Sequence, residues 1–214
     1  MNSETQAIAD LIKAGDRLRA SGLLPGTSGN LSARCDGGFV ITNSGATTGH
    51  LSPEDFSFVG RDGNVTKSSK PSSELPLHQA IYRIRDNARA IVHVHAPFVV
   101  ALTLAETCFD SSALPETKLK FGEVPTTRFA QPSTGQSAEV ISEVLTETTK
   151  AVIIPLHGLV AIDENVREAC SIAEEIEYSA KVQFFARLMQ KVERINESLY
   201  RPEDCKEQQH EGTK

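Results

Sequence analysis

The fold is decided by two stretches, RAIVHVH at residues 89–95 and AVIIPLHG at residues 151–158. Each is a short apolar run, rich in isoleucine and valine, that reaches a histidine, and such a run predicts a buried β-strand. Because side chains alternate along a strand, His93 and His95 leave the same face, whereas the neighbouring valines point into the core. The two stretches therefore predict core strands that present histidines near the open end of a sheet.

Helical patterns surround these strands. Apolar residues recur at helical spacing over residues 4–21, and residues 71–74 open an amphipathic helix. The apolar face of that second helix is predicted to contain Leu77, Ile81 and Ile84, and its exposed side to contain His78. Residues 136–149 are predicted to be helical, and a long helix is predicted from Asn165 to about Gln190.

Turn signals indicate that some strands are joined without a helix. Asp36-Gly37-Gly38 and Arg61-Asp62-Gly63-Asn64 are typical of hairpins. Ser52-Pro53-Glu54-Asp55 has the pattern of a helix start, and residues 114–135 are predicted to be irregular, with a short strand at 123–125. Mixed connections of this kind exclude a purely parallel sheet and predict an α/β or α+β sheet covered by helices.

Length and composition favour a globular protein of ordinary kind. The chain has 214 residues, of which 39% are hydrophobic and 23% charged, and a single domain is predicted over residues 1–200. Residues 201–214 are polar and are predicted to form a mobile tail. No run approaches the roughly 18 apolar residues of a membrane helix, and no secretory signal is evident, so a cytoplasmic location is expected.

The net charge argues against one class of partner, and the spacing of the cysteines argues against one class of metal site. A net charge of −6 argues against nucleic acid as the main partner, while leaving room for a small phosphorylated ligand held by backbone N–H groups. The four cysteines are scattered without a C-x-x-C pair, which excludes a zinc ribbon and favours reduced, structural thiols.

The three strand histidines suggest a metal site. His93 and His95 alone could equally be two surface histidines, and His157 alone could be an ordinary turn histidine. Taken together they fit a catalytic zinc site, which typically keeps three protein ligands and an open position.

Three patches of small residues have both structural and functional interpretations. Ser72, Ser73 and Glu74 could simply cap a helix, but serine hydroxyls and free N–H groups at a helix start also bind anions. The segments 26–30 and 42–45 match neither a Walker loop nor GxGxxG. The three patches could converge on one phosphate.

An ordered set of motifs connects these observations. It comprises GTSGNLSAR, ITNSG, KPSSE, AIVHVHAP, the Val-Pro pair near residue 124, IIPLHGLVAI and EEIEYSAKV, and it covers residues 5 to 190. The set resembles the class II aldolase/adducin family, and most of all its zinc-dependent sugar-phosphate aldolases, typified by fuculose-1-phosphate aldolase. The wider family also contains epimerases, dehydratases, decarboxylases and non-enzymatic adducin head domains.

The resemblance implies a fold, an assembly and a site. The implied fold is a three-layer α/β/α sandwich around a mainly antiparallel sheet, and the implied assembly is a homotetramer. Zn²⁺, with Mn²⁺ or Co²⁺ as substitutes, would be bound by His93, His95, His157 and Glu74, the last also acting as the catalytic acid/base. The positions that correspond to phosphate contacts are Gly29, Asn30, Ser44, Gly45, Ser72 and Ser73.

Within the family, the residues favour the aldolase branch. Epimerases usually carry aspartate in place of Glu74, dehydratases and decarboxylases tend to replace Ser73, and adducin-like members lack the histidines. The expected reaction is reversible cleavage of a ketose 1-phosphate to dihydroxyacetone phosphate and an aldehyde, through a metal-stabilised enediolate. A methylthioribulose-1-phosphate dehydratase, a sugar-acid-phosphate decarboxylase and an adducin-like binding module are the alternatives. The loop at 114–125 contains no tyrosine for the aldehyde, and Tyr200 cannot be aligned securely.

Overall fold

The computed structural model describes residues 3–67 and 70–199. Its strands are β1 (Asn30–Cys35), β2 (Gly38–Thr42), β3 (Phe56–Gly60), β4 (Val65–Lys67), β5 (Ala90–Val94), β6 (Ala151–Ile154) and β7 (Gly158–Asp163). Its α-helices are α1 (Glu4–Ala20), α2 (Leu75–Ile84), α3 (Pro97–Leu104), α4 (Pro115–Phe121), α5 (Gln136–Val144) and α6 (Val166–Leu199). The predicted tail at 201–214 and Tyr200 lie outside the described residues.

The strands form a single sheet in the order β4-β3-β2-β1-β5-β7-β6, and all neighbouring pairs are antiparallel. Strand β5 is an interior strand, with β1 on one side and β7 on the other. Its His93 lies opposite Asn30 of β1 and Val160 of β7. The sheet therefore places a predicted metal ligand beside a predicted phosphate contact, although residues 30 and 93 are 63 positions apart in sequence.

Helices cover both faces of the sheet. Helices α1, α3 and α6 pack on one face over a core that includes Leu31, Val92 and Val94. Helices α2 and α5 pack on the other face over a core that includes Ile91 and Ile162. This arrangement confirms the predicted three-layer α/β/α sandwich with an antiparallel central sheet.

Several predicted elements differ from the structure. The helix predicted from Ser52 is only the 3₁₀ turn Pro53–Asp55, because the chain enters β3 at the next residue. The region predicted to be irregular contains α4, and the strand predicted at 123–125 is reduced to one bridge between Thr126 and Ile153. The α5 helix ends five residues early, at Val144. Among the predicted apolar positions of α2, Leu77 and Ile81 are buried, whereas Ile84 is 39% exposed.

Helix α6 anchors the segment that follows His95. The Glu177 carboxylate accepts hydrogen bonds from the backbone N–H groups of Phe98 (2.8 Å) and Val99 (3.0 Å), which lie in the first turn of α3. Since those N–H groups have no partner inside their own helix, a carboxylate there stabilises the helix start. Burial raises the pKa of Glu177, and the two backbone hydrogen bonds oppose that rise.

Among the described helices, none combines the length and apolar content needed to cross a bilayer.

The approach of β7 to β5 depends on a glycine next to His157. A Cβ atom on Gly158 would overlap the carbonyl oxygen of Val94 and would lie 3.3 Å from the Cα of His95. Both obstacles are backbone atoms, which no rotamer change can move aside. Gly158 therefore permits the close approach of the strands that carry the histidines.

We predict that Gly158→Ala forces β7 away from β5 at this point. The variant should be less stable by roughly 1–3 kcal/mol, the usual cost of overpacking, and should bind metal more weakly than the unmodified chain. Urea unfolding and metal titration measure the two effects. Gly135→Ala is a suitable control because a Cβ there meets no atom within 4 Å. Equal stability of the two variants would contradict the prediction.

Candidate metal centre and phosphate pocket

The structure brings the three predicted metal ligands together. One nitrogen from each of His93, His95 and His157 lies within 4.8 Å of the others. The three rings meet edge to face, with centroids 4.7 to 5.4 Å apart. His93 and His157 approach most closely, with their Nε2 atoms 3.3 Å apart. A cluster of this size can converge on one cation.

A backbone contact fixes the tautomer of His93. Its Nδ1 lies 3.2 Å from the carbonyl oxygen of Leu159. Because a carbonyl can only accept, Nδ1 carries the proton and Nε2 keeps its lone pair. Nε2 is the atom that faces His157. This is the arrangement in which a second hydrogen bond orients a metal-binding imidazole.

Burial keeps the three imidazoles neutral. The pKa of His93 lies well below its ordinary value because the ring is fully buried and has the other histidines as neighbours. Burial lowers the pKa of His95 to about 4, with a further contribution from His157. Burial also lowers the pKa of His157, although the charge of Glu74 opposes this. Neutral rings at pH 7 have free lone pairs, as metal ligation requires.

Glu74 occupies the N-cap position of α2, beside the histidines. Its carboxylate is 4% exposed, and its Oε1 accepts a hydrogen bond of 2.6 Å from the backbone N–H of Ser133. Its Oε2 has no hydrogen-bond partner among the described residues, and neither does Nδ1 of His157. Buried polar atoms are rarely left unpaired, so both atoms indicate that a ligand belongs at this site.

A cavity of about 380 Å³ opens in front of this cluster. Its lining includes His95, His157, Glu74 and all six predicted phosphate contacts, which are Gly29, Asn30, Ser44, Gly45, Ser72 and Ser73. His93 is not in the lining because it is completely buried behind it. The structure thus brings every predicted site residue to one place, while the role of each as a ligand or phosphate contact stays a prediction.

Backbone geometry explains the glycine in the first patch. Gly29 has φ of +74°, a conformation that glycine adopts without steric cost. A Cβ there would also lie 2.6 Å from the carbonyl oxygen of His93 and would overlap a methyl group of Leu24. Gly29 therefore allows the loop before β1 to approach the end of β5.

His78 does not lie on the exposed side of α2, as the sequence predicted. It is completely buried, and its Nε2 lies 2.5 Å from Oδ1 of Asn30. Its Nδ1 lies 2.7 Å from Oγ of Ser32, which in turn lies 2.9 Å from the hydroxyl of Tyr82. The prediction was wrong because α2 packs its polar histidine against small polar residues of β1, a pairing that the helix periodicity does not show.

The chemistry of Asn30 and His78 determines which atom donates in each hydrogen bond of this chain. Burial lowers the pKa of His78 to about 3, so the ring is neutral and carries one N–H. Since Oδ1 of Asn30 can only accept, that N–H is on Nε2, and Nδ1 accepts from Ser32. Ser32 therefore receives its own hydrogen bond from Tyr82. With Oδ1 held by His78, the amide NH₂ of Asn30 is left as the donor toward the cavity.

The sequence matches a known family over most of its length. Residues 9–184 match the family described as Class II Aldolase and Adducin N-terminal domain. The chain belongs to this family. The predicted superfamily is therefore confirmed.

Relatives within the class II aldolase family have different activities. A 3-oxo-tetronate 4-phosphate decarboxylase of Pectobacterium atrosepticum is 32% identical over 189 residues, covering 86% of each chain. A 5-deoxy-D-ribulose 1-phosphate aldolase of Bacillus thuringiensis is 32% identical over 199 residues, covering 91% of this chain and 89% of the relative. The crystal structure of L-fuculose-1-phosphate aldolase from Thermus thermophilus has a TM-score of 0.77 at 31% identity, covering 86% of this chain and 95% of that one. Similarity to these relatives supports a lyase of this superfamily. It does not identify the reaction, which must be inferred from the residues of the site.

The residues of the cavity lining that sequence reasoning missed include Ser133 and Leu156. Ser133 and Leu156 both line the cavity, and both have positive φ, near +60°. Non-glycine residues in this conformation are strained, and such strain is concentrated at functional sites. The hydroxyl of Ser133 also lies 3.0 Å from that of Ser73, within hydrogen-bond distance. Neither residue has a sequence signal, since their neighbours do not predict left-handed backbone.

We predict that Ser32→Ala destabilises the chain more than Tyr82→Phe. Ser32→Ala leaves Nδ1 of His78 and the Tyr82 hydroxyl unpaired in the core, whereas Tyr82→Phe removes one donor and leaves Ser32 hydrogen-bonded to His78. Leaving buried polar groups unpaired costs about 1–3 kcal/mol, and losing a single hydrogen bond costs about 1 kcal/mol. Urea unfolding at pH 7 measures both. A larger loss for Tyr82→Phe would contradict the assigned proton directions.

Proposed function

We propose that this chain is a zinc-dependent aldolase that reversibly cleaves a ketose 1-phosphate to dihydroxyacetone phosphate and an aldehyde. One observation carries the proposal. A cluster of three neutral histidines, of which His95 and His157 line a cavity, lies beside a buried carboxylate with an unpaired oxygen, and the remaining walls of that cavity are rich in hydroxyl, amide and glycine N–H donors. Such a site can hold a cation at one end and a phosphate at the other.

The residues present fit a divalent cation. His93 has its lone pair on Nε2, and His95 and His157 are neutral at pH 7 because burial lowers the pKa of each. Glu74 has one oxygen, Oε2, free to serve as a fourth ligand in the resting enzyme. When bound, Zn²⁺, or Mn²⁺ or Co²⁺ in its place, supplies a Lewis acid that stabilises negative charge on the substrate oxygens.

The phosphate would be bound by neutral donors. The hydroxyls of Ser44, Ser72 and Ser73 and the amide NH₂ of Asn30 line the cavity. Helix α2, which is ten residues long, begins immediately after Ser72-Ser73-Glu74. The N-terminus of this helix favours negative charge. Anchoring the phosphate fixes the reacting carbons relative to the carboxylate and so lowers the entropic part of the barrier.

Glu74 would transfer the proton. In cleavage, the hydroxyl of the leaving half would give its proton to the Glu74 carboxylate and become the aldehyde as the C–C bond breaks, and the electron pair of that bond would stay with the phosphate-bearing half as an enediolate. Glu74 then delivers a proton to the enediolate carbon, and in the reverse reaction it removes that proton. The hydrogen bond from Ser133 to Oε1 holds the carboxylate in place while Oε2 acts.

Decarboxylation is the second candidate, because a decarboxylase is among the relatives and loss of carbon dioxide also leaves an enediolate. Two observations favour the aldolase. The chain keeps Ser73, which decarboxylases and dehydratases of the family tend to replace. The described lining of the cavity also contains no lysine or arginine, although a sugar-acid phosphate carries a carboxylate in addition to its phosphate.

The surface of α6 supports the proposed homotetramer. Its second half exposes a run of large apolar side chains, namely Phe185, Leu188, Met189, Val192 and Ile195, each 46% to 64% exposed. An apolar surface of this extent usually marks a protein interface. A second copy of the chain is the partner we propose.

We predict that His93→Ala and His157→Ala purify with little zinc, since each removes one of three histidine ligands. Elemental analysis measures the metal. His50→Ala is the matched control, because His50 is an exposed loop residue away from the cavity, and it should retain the full metal content. Full zinc content in either ligand variant would rule out the metal assignment.

We predict that Glu74→Gln retains the fold and lowers turnover by roughly 10²–10⁴-fold, the usual contribution of a general acid/base. A panel of ketose 1-phosphates and of sugar-acid phosphates, each incubated with the zinc-loaded chain, identifies the reaction. The aldolase releases dihydroxyacetone phosphate from a ketose 1-phosphate. Release of carbon dioxide from a sugar-acid phosphate, with no ketose cleavage, would replace the aldolase with the decarboxylase. Near-normal turnover of Glu74→Gln would remove Glu74 from the acid/base role.

A further inference from the structure

A second cavity lies at the opposite end of β1 from the candidate site. Asn30 begins that strand at the phosphate pocket, whereas Arg34 and Cys35 end it at a cavity of about 470 Å³. The cavity is lined by four arginines from different parts of the chain, which are Arg34 in β1, Arg61 in the turn after β3, Arg83 in α2, and Arg89 just before β5. Tertiary structure alone brings these guanidinium groups together.

The positive charge of this cavity is only partly neutralised by the described carboxylates, Asp62 in its lining and Asp86 near Arg34. Arg61, Arg83 and Arg89 form no ion pair with a described carboxylate. The one carboxylate in the lining, Asp62, already accepts hydrogen bonds from the backbone and side-chain nitrogens of Asn64. These arginines are therefore available to an external anion.

Arg34 forms the fixed floor of the cavity. Its guanidinium donates to the carbonyl oxygens of Ala88 (2.9 Å) and Tyr82, and it lies 4.6 Å from the centre of the Tyr82 ring. Burial lowers the pKa of Arg34. The charges of Arg89 and Arg61 lower it further, whereas Tyr82 and Asp86 oppose the shift. The like charges are thus close enough to repel one another, in a chain whose net charge is −6. An anion bound among them would relieve this repulsion.

We propose that this cavity binds a small organic compound that carries a diphosphate group. Guanidinium groups form paired hydrogen bonds with phosphoryl oxygens, and arginine is the residue that most often recognises phosphate in this way. Four of them exceed what a single phosphate monoester needs, and about 470 Å³ lies within the range of small-molecule sites. The site is separate from the proposed aldolase pocket and does not depend on the aldolase proposal.

Isothermal titration with inorganic pyrophosphate tests the proposal. The titration uses a Ser44→Asp background, in which a negative charge in the other pocket excludes phosphate from it. One pyrophosphate should bind per chain, and the affinity should fall as salt is added. The double variant R61Q/R89Q should bind about 100-fold more weakly, since each lost charge-assisted contact costs about tenfold.

The matched control is R167Q/R194Q, which removes two exposed arginines of α6 outside the cavity and causes the same change in net charge. Its affinity for pyrophosphate should equal that of the Ser44→Asp background. Both double variants should retain the urea midpoint of that background, because the replaced side chains are exposed. Absence of binding in the background, or equal affinities in R61Q/R89Q and R167Q/R194Q, would overturn the proposal, whatever the outcome of the aldolase assays.

Discussion

The antiparallel pairing of β5 with β1 and β7 is the constraint on which the rest of the structure depends. It places Asn30, His93 and Val160 side by side, so the candidate phosphate pocket and the candidate metal ligands share one end of the sheet. Gly29 and Gly158 permit this closeness, because a side chain at either position would collide with the backbone of β5. The site is therefore built on backbone hydrogen bonds of the sheet, which are the least mobile part of the fold.

Burial gives this site its chemical character. Three imidazoles in a solvent-poor position are neutral because burial opposes their protonation, so they can offer lone pairs to a cation at neutral pH. The same effect keeps His78 neutral and gives its two nitrogens opposite roles, one accepting and one donating. As a result, His78 orients Asn30 in the candidate phosphate pocket, and Ser32 and Tyr82, which do not line that pocket, determine which nitrogen of His78 carries the proton.

The fold does not choose the reaction. Relatives that match most of the chain include a decarboxylase and an aldolase. In the proposed reaction, the end of the substrate far from the phosphate would contact the walls of the cavity rather than the sheet. The neutral lining around Ser73 therefore matters more to the proposed substrate than the three histidines do. The arginine cavity shows that the chain concentrates positive charge elsewhere, at the other end of β1.

The sequence by itself determined the elements with strong periodicity and the residues with strong chemical preference. Strand alternation in RAIVHVH put His93 and His95 on one side, and the ordered motifs indicated the family, the layered fold and the composition of the candidate site. Only the tertiary structure decided which helix face was buried, and it shows that His78, predicted to be exposed, lies in the core. It also shows that Ser133 and Leu156 line the pocket. The four arginines of the second cavity are equally invisible in sequence. The reason is that periodicity reports local geometry, whereas the pairing of distant polar groups depends on which surfaces the packed sheet and helices bring into contact.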